Sequence, residues 1–192
     1  MGINLTKGGR INLSKEAPSL TKVRIGLGWE ANAFDTGGSF DLDCSVFLLG
    51  ANGKLVSDNH FVFYNNLKSP CGGIVHSGDN RTGDAAGDDE TVRIDLARIE
   101  PAIEEVSFIV TIHDDSAKLN FGQVKNSYIK LYDDATGVEI AKYSLEDDFS
   151  LETAIQFGSL YKKDGAWMFK AVGAGYKKGL ADFVVIYGGN LA

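Results

Sequence analysis

The residues best equipped for chemistry in this 192-residue chain are its carboxylates. Asp and Glu number 26 against 19 Lys and Arg, and they fall in clusters. The stretch Asp79-Asn80-Arg81-Thr82-Gly83-Asp84-Ala85-Ala86-Gly87-Asp88-Asp89-Glu90 holds five acids and one base. Asp41 and Asp43 open a strand-like run beginning at Phe40, and side chains two apart on a strand share a face. The β-branched run Val106 to His113 ends in Asp114-Asp115. Carboxylates ~4 Å apart repel by about 4 kcal/mol per pair at an effective dielectric near 20. A bound Ca²⁺ removes that repulsion and takes roughly 6–8 oxygen ligands. Gly83 and Gly87 allow the backbone to fold so that carbonyls also reach an ion. A solvated acidic loop is the ordinary meaning of such a charge run. The acids at strand ends, Asp41, Asp43 and Asp114, tip the balance toward a hard-cation site. An EF-hand fits poorly: with Asp79 as the first position, Arg81 and Gly83 stand where ligands belong, Asp84 replaces the required Gly, and the flanks read as strands.

Other constellations are weaker. His60, His76 and His113 are scattered through the chain, and no nucleophile elbow, Walker A loop or zinc-protease helix is present. His113 beside Asp114 suggests a base and its orienter, but adjacent strand residues face opposite ways, which favours a structural histidine. Gly26-Leu27-Gly28 and Val172-Gly173-Ala174-Gly175-Tyr176 lie inside strand patterns and indicate bulges or close backbone packing, not a dinucleotide fingerprint. Cys44 reads as a small core residue and Cys71, between Pro70 and Gly72-Gly73, as a loop residue. Two cysteines without a CxxC or a His cluster make neither a disulfide framework nor a zinc site.

The elements that must position the acids are mostly strands. Val23, Ile25, Leu27 and Trp29 alternate with smaller or polar residues, the period of a half-buried strand. Leu42 to Gly50 is apolar at nearly every position, as for a strand covered on both faces. Further strands are expected at Phe61–Tyr64, Thr91–Leu96, Val106–His113, Tyr128–Tyr132, Val138–Tyr143, Ala154–Tyr161 and Trp167–Val172. Hairpin turns are expected at Asp133-Asp134-Ala135-Thr136-Gly137 and Lys162-Lys163-Asp164-Gly165. Near the start, Ile3-Asn4-Leu5-Thr6-Lys7 recurs as Ile11-Asn12-Leu13-Ser14-Lys15 across Gly8-Gly9-Arg10, which reads as two paired strands of a hairpin. Pro101 to Glu105 is expected to form a helical turn. Leu180, Phe183, Val184 and Tyr187 predict a short C-terminal amphipathic helix. About ten short strands at regular spacing argue for an all-β, antiparallel β-sandwich in a single domain, 1–192.

Composition sets the outer bounds. Hydrophobic residues make up 44 % and charged residues 23 %, ordinary globular usage. The net charge of −7 repels a phosphate backbone, so nucleic acid is not expected as a partner. No apolar run is long enough for a membrane span and the first residues lack a signal-peptide core, so a cytoplasmic location is expected.

Leu13-Ser14-Lys15, the Gly-Leu-Gly-Trp that closes Val23–Trp29, Phe40-Asp41-Leu42-Asp43, and Asp58 to Pro70 with Phe63-Tyr64-Asn65-Asn66-Leu67-Lys68-Ser69-Pro70 form a specific combination with Gly78–Gly83, Gly87-Asp88-Asp89-Glu90 and Ile112-His113-Asp114. In this combination the sequence resembles the TerD family of tellurite-resistance and stress proteins over essentially its whole length. The resemblance implies a calcium-binding β-sandwich holding two ions. Its ligands, placed on matching positions here, are Asp41, Asp43, Asn65, Asp79, the Gly83 carbonyl, Asp88, Asp89, Glu90 and Asp114. It also implies a place in the ter stress system, linked to resistance to tellurite, phage and colicins. Partners would be other ter-system proteins, some membrane-associated, with contact to an anionic lipid surface at the inner membrane. Cys44 and Cys71 depart from the family pattern without being ligand positions, and leave a thiol contact with tellurium species open. The leading reading is a non-enzymatic Ca²⁺-dependent interaction module. Its rivals are a cyclic-nucleotide-like small-ligand binder, for which Arg81 is the available phosphate grip, and a metal-dependent enzyme acting on phosphate esters, for which the sequence names no clear base.

Overall fold

The computed structural model describes residues 2–30, 41–80, 87–113, 119–145, 149 and 151–191. Within these residues twelve strands form two six-stranded sheets. In chain order they are β1 (Ile3–Leu5), β2 (Arg10–Asn12), β3 (Lys22–Glu30), β4 (Leu42–Leu49), β5 (Phe61–Val62), β6 (Ile74–His76), β7 (Glu90–Asp95), β8 (Glu105–Ile112), β9 (Lys125–Asp133), β10 (Glu139–Ser144), β11 (Ala154–Lys163) and β12 (Ala166–Tyr176). The described residues also include two short helices, α1 (Leu13–Glu16) and α2 (Leu180–Ile186), with 3₁₀ turns at Asp58–His60, Leu96–Arg98 and Phe121–Gln123. The first sheet runs β1-β10-β9-β3-β7-β6 and the second β2-β12-β11-β8-β4-β5. Every pairing is antiparallel except β1 on β10.

The inward-facing residues of the two sheets meet in one core that includes Val23, Ile25, Leu131, Leu42, Val46, Phe108 and Phe157. β4 is buried at all eight positions. Its inner face meets the opposite sheet, while Phe47 and Leu49 on the other face pack with Ile109 under Phe183 and Val184 of α2. The near-continuous apolar run of β4 thus follows from cover on both sides, and the i, i+3 apolar pairing of α2 supplies part of that cover. The β11–β12 hairpin turns through Asp164 and Gly165, both at positive φ, the conformation an Asp-Gly hairpin turn requires.

Two local expectations are corrected. The repeated N-terminal segments do not pair with each other: β1 joins β10 of the first sheet and β2 joins β12 of the second. Between them the Gly8 N–H donates to the Ala171 carbonyl (2.7 Å), and the Ala171 N–H donates to Gly9 (2.9 Å). Each copy is more useful as an edge strand on a different sheet, where Ile3, Leu5, Ile11 and Leu13 can all reach the core. Residues 101–105 do not form a helical turn; Glu105 already begins β8, and the nearby 3₁₀ turn is at Leu96–Arg98, capped by Asp95. Two elements, β6 and α1, were too short to leave a periodic signal.

Candidate metal centre

Three structural elements converge at one end of the sandwich. Asp41 and Asp43 come from the start of β4, Asp79 from the loop after β6, and the Asp41 carbonyl accepts the His113 N–H at the end of β8 (2.8 Å). Carboxylate oxygens of Asp41, Asp43 and Asp79 all lie within 4.8 Å of one another. Asp43 is 6 % exposed while Asp79 is open to solvent. Burial, then the charges of Asp41, Glu90 and Asp79, raise the Asp43 pKa to about 7; the neighbouring His113 pulls the other way. This is the electrostatic mark of a buried carboxylate held among like charges.

Glu90 lies behind the cluster, 1 % exposed, and ties the sheets together. β5 pairs with β4 only at Val46 and Phe47, so the β4 edge is open at Cys44. There the Cys44 N–H donates to Glu90 Oε2 (2.8 Å), and its carbonyl accepts from His76 Nε2 (3.1 Å). The His76 ring is fixed from its other side by the Gly78 N–H on Nδ1 (3.0 Å). Two side chains of the first sheet thereby satisfy an edge backbone of the second, which would otherwise be left without partners. Cys44, His76 and Glu90 bring potential ligand atoms within 4.8 Å of one another. Both ring nitrogens are nevertheless used in hydrogen bonds, and burial holds the thiol pKa well above its ordinary value, so the trio acts as a hydrogen-bonded brace.

Asp88 and Asp89 turn elsewhere. Asp88 points to the outer face of the first sheet, where its carboxylate meets Arg24 Nη1 (2.8 Å) and the hydroxyls of Tyr128 (3.2 Å) and Tyr132 (3.1 Å). It lies over Gly26, where any Cβ would fall 2.2 Å from the carboxylate, and Tyr128 lies over Gly28 in the same way. Close packing is therefore the reason for the Gly-Leu-Gly pattern. Burial, then the Asp88 charge, raises both phenols above their usual range, Tyr132 to about 12. Asp89 accepts the Trp29 N–H (2.9 Å). Asn65 is exposed in the turn closed by Phe63 and Asn66. Gly83 and Asp114 lie outside the described residues. The structure thus gathers Asp41, Asp43 and Asp79, backed by Glu90, and gives Asp88 and Asp89 protein partners.

The histidines, scattered in sequence, each sit beside a carboxylate. His60 Nε2 is 2.9 Å from Glu100, His76 is 3.6 Å from Glu90, and His113 is 3.7 Å from Asp43. His60 also meets Ser57 Oγ through Nδ1 (2.8 Å), within one 3₁₀ turn. These pairings are carried by strand register and loop closure, so neighbouring residues in the sequence gave no sign of them. The three clustered donors are carboxylate oxygens, compact and partly solvated, which suits a hard cation and not a thiolate-seeking metal.

A two-sheet β-sandwich with a carboxylate-lined end defines the class of protein. The chain belongs to the TerD family: the TerD domain model matches residues 1–187. It is 50 % identical over 191 residues to "Tellurium resistance protein TerD" of an Alcaligenes species, covering 99 % of both chains. It is 49 % identical over 189 residues to "General stress protein 16U" of Bacillus subtilis, covering 98 % of each. A crystal structure described as a homologue of telluride resistance protein (TerD) from Streptomyces coelicolor A3(2) superposes with a TM-score of 0.71 at 25 % identity, covering 86 % of this chain and 95 % of that one. Among the described residues no helix is long and apolar enough to cross a membrane.

Proposed function

We propose that this chain is a non-enzymatic, calcium-binding stress-response protein whose acidic end becomes a docking surface when the ion is bound. The observation that carries the reading is the convergence of Asp41, Asp43 and Asp79 within 4.8 Å, from separate parts of the chain. Such a cluster is costly without a cation and is relieved by one. Asp41, Asp43 and Asp79 would hold Ca²⁺ directly, with the Glu90 charge adding to the local potential. The ion would link the β4 start to the β6–β7 connection and so stiffen the end where the sheets meet. Partners in this reading are other proteins of the same stress system, and anionic lipid for which the bound ion forms a bridge; the setting is cytoplasmic.

Calorimetry and thermal unfolding test it together. Ca²⁺ at a hundredfold excess over its dissociation constant should add about 2.7 kcal/mol of stability, and Mg²⁺ less. The double variant Asp41→Asn with Asp79→Asn should lose at least a hundredfold in Ca²⁺ affinity. A Tm unchanged between millimolar Ca²⁺ and chelator defeats the proposal.

A further inference from the structure

On the outer face of the second sheet, α2 packs over Phe47, Leu49, Ile109 and Ala154. Ser107 of β8 marks the border of that cover, its hydroxyl 3.2 Å from that of Tyr187. Strand register carries the same face onward. Ser107 stands opposite Ser159 of β11, Ser159 opposite Lys170 of β12, and Lys170 opposite Arg10 of β2. Directly opposed residues share a face, so Arg10 and Lys170 set two positive charges side by side. Glu105 lies two residues from Ser107 along β8, on the same face, opposite Tyr161 of β11.

An open cleft of about 460 Å³ lies over this row, lined by Arg10, Lys170, Ser159, Tyr161, Glu104 and Glu105 and bounded by the turn after β4. The segments that carry it, 9–12, 49–55, 103–107, 155–163 and 166–173, all belong to the described residues. Among the described residues, none of Arg10, Lys170, Glu104 and Glu105 has an ion-pair partner. A third cation at the rim, Lys162, is engaged by the Pro101 carbonyl (3.3 Å) and the Trp167 ring (5.3 Å). From Lys170 to Glu105 is two strands across and two residues along, ~12 Å between Cα atoms at ~4.8 Å per strand and ~3.4 Å per residue. The sheet therefore holds opposite charges apart within one cleft. Ser159 lies at its floor, 3 % exposed, and its hydroxyl has no hydrogen-bond partner among the described residues. A buried hydroxyl needs a partner, and the side open to this one is the cleft.

We propose that this cleft binds a short peptide with free termini, its carboxylate held by Arg10, Lys170 and the Ser159 hydroxyl and its ammonium by Glu105, with Glu104 adding to the negative end. Arginine takes a carboxylate through paired donors and lysine takes it as a point charge. An extended chain spans ~3.5 Å per residue, so two or three residues reach roughly 7–11 Å, a match to the gap between Lys170 and Glu105 once both side chains lean inward. Tyr161, on the strand between the two charged ends, offers its ring to the middle of the peptide. A polyanion would meet the two glutamates at the far end, so the cleft selects a ligand of both signs. Its volume lies within the range of small-molecule sites. The site is at the end of β8 remote from the carboxylate cluster and does not depend on calcium.

The test uses full-length protein at constant ionic strength. Amide shifts of Arg10, Glu105, Ser159 and Lys170 are followed while trialanine is added. N-acetyl-trialanine and trialanine amide, each lacking one terminal charge, are parallel probes. The expected result is a saturable shift with trialanine, weakened at least tenfold by either cap. Glu105→Gln should weaken trialanine at least tenfold and leave the N-acetyl peptide unchanged. Arg10→Gln should weaken trialanine at least fivefold and leave the amide unchanged. Ser159→Ala should weaken trialanine without lowering Tm, because no protein group loses a hydrogen bond. Lys163→Gln, on the exposed β11–β12 hairpin, should change nothing. Equal binding of free and capped peptides, equal losses in Lys163→Gln and Glu105→Gln, or no saturable response to trialanine at millimolar concentration overturns the proposal.

Discussion

Asp43 and Asp88 are both nearly inaccessible carboxylates of the same acidic region, yet their surroundings are opposite. Asp88 has Arg24 at 2.8 Å and two tyrosine hydroxyls, on the outer face of the first sheet. Asp43 has Asp41, Asp79 and Glu90 for neighbours, with the exposed His113 as the counterweight among the described residues. One carboxylate has its compensating cation built into the protein; the other has like charge on several sides. The difference teaches that acid density does not by itself identify a metal site. What matters is which acids the fold pairs with a cation, as Arg24 pairs with Asp88, and which it gathers among like charges, as around Asp43.

The largest expected effect concerns pH. Asp43 keeps its proton in the folded protein up to about pH 7, against a usual value of 3.8 in the unfolded chain. The stabilisation from holding that proton is complete below the unfolded value and is lost as pH rises through 7. Three pKa units correspond to about 4 kcal/mol. Metal-free protein should therefore lose Asp43-linked stability between about pH 4 and pH 7, and Asp43→Asn should flatten the dependence. Chelated wild-type and Asp43→Asn proteins with parallel Tm profiles would break the contrast with Asp88.

A smaller effect is expected on the other side. Asp88→Ala leaves the Arg24 guanidinium and two phenol hydroxyls without their shared acceptor. Loss of a partner from such a partly buried network costs about 2–3 kcal/mol, read as a lower urea midpoint. Ca²⁺ affinity should change by less than about threefold, a small coupling of ~0.6 kcal/mol or less. A hundredfold loss of Ca²⁺ binding in Asp88→Ala would place Asp88 among the ligands after all.

The smallest effect sharpens the boundary between the two regions. Asp89→Asn keeps an oxygen for the Trp29 N–H, so stability should change by no more than about 1 kcal/mol in urea unfolding. A clear gain in chelator that disappears with Ca²⁺ would instead place Asp89 in the same like-charge group as Asp43.

Much of this was legible in the residues. Alternation in β3, β7 and β9, the unbroken apolar run of β4 and the Asp-Gly turn all express local rules, and local rules are visible along a chain. Asp41 and Asp43 were legible as a shared strand face. The Arg24–Asp88 pair was not, because it depends on β3 and β7 lying in register, with Gly26 giving room for the carboxylate. The brace of His76, Cys44 and Glu90 was hidden for a similar reason: it exists only because β5 is too short to cover the β4 edge. The N-terminal repeat misled because two identical strand signals do not say with which strand each will pair.

That repeat also sets an order of events in folding. β1 is completed by β10 and β2 by β12, so the first strands made must wait for some of the last. Loops this long must close before the pairings return any stability, which slows folding. The first sheet cannot have all its strands until residue 144 has emerged from the ribosome, and the second not until residue 176. During that interval the β10 and β12 partners of the N-terminal strands are missing, and unpaired strands are the surfaces on which chains aggregate. The first dozen residues thus act as a late fastener, closing both sheets in the final stage and hiding the open strand edges together.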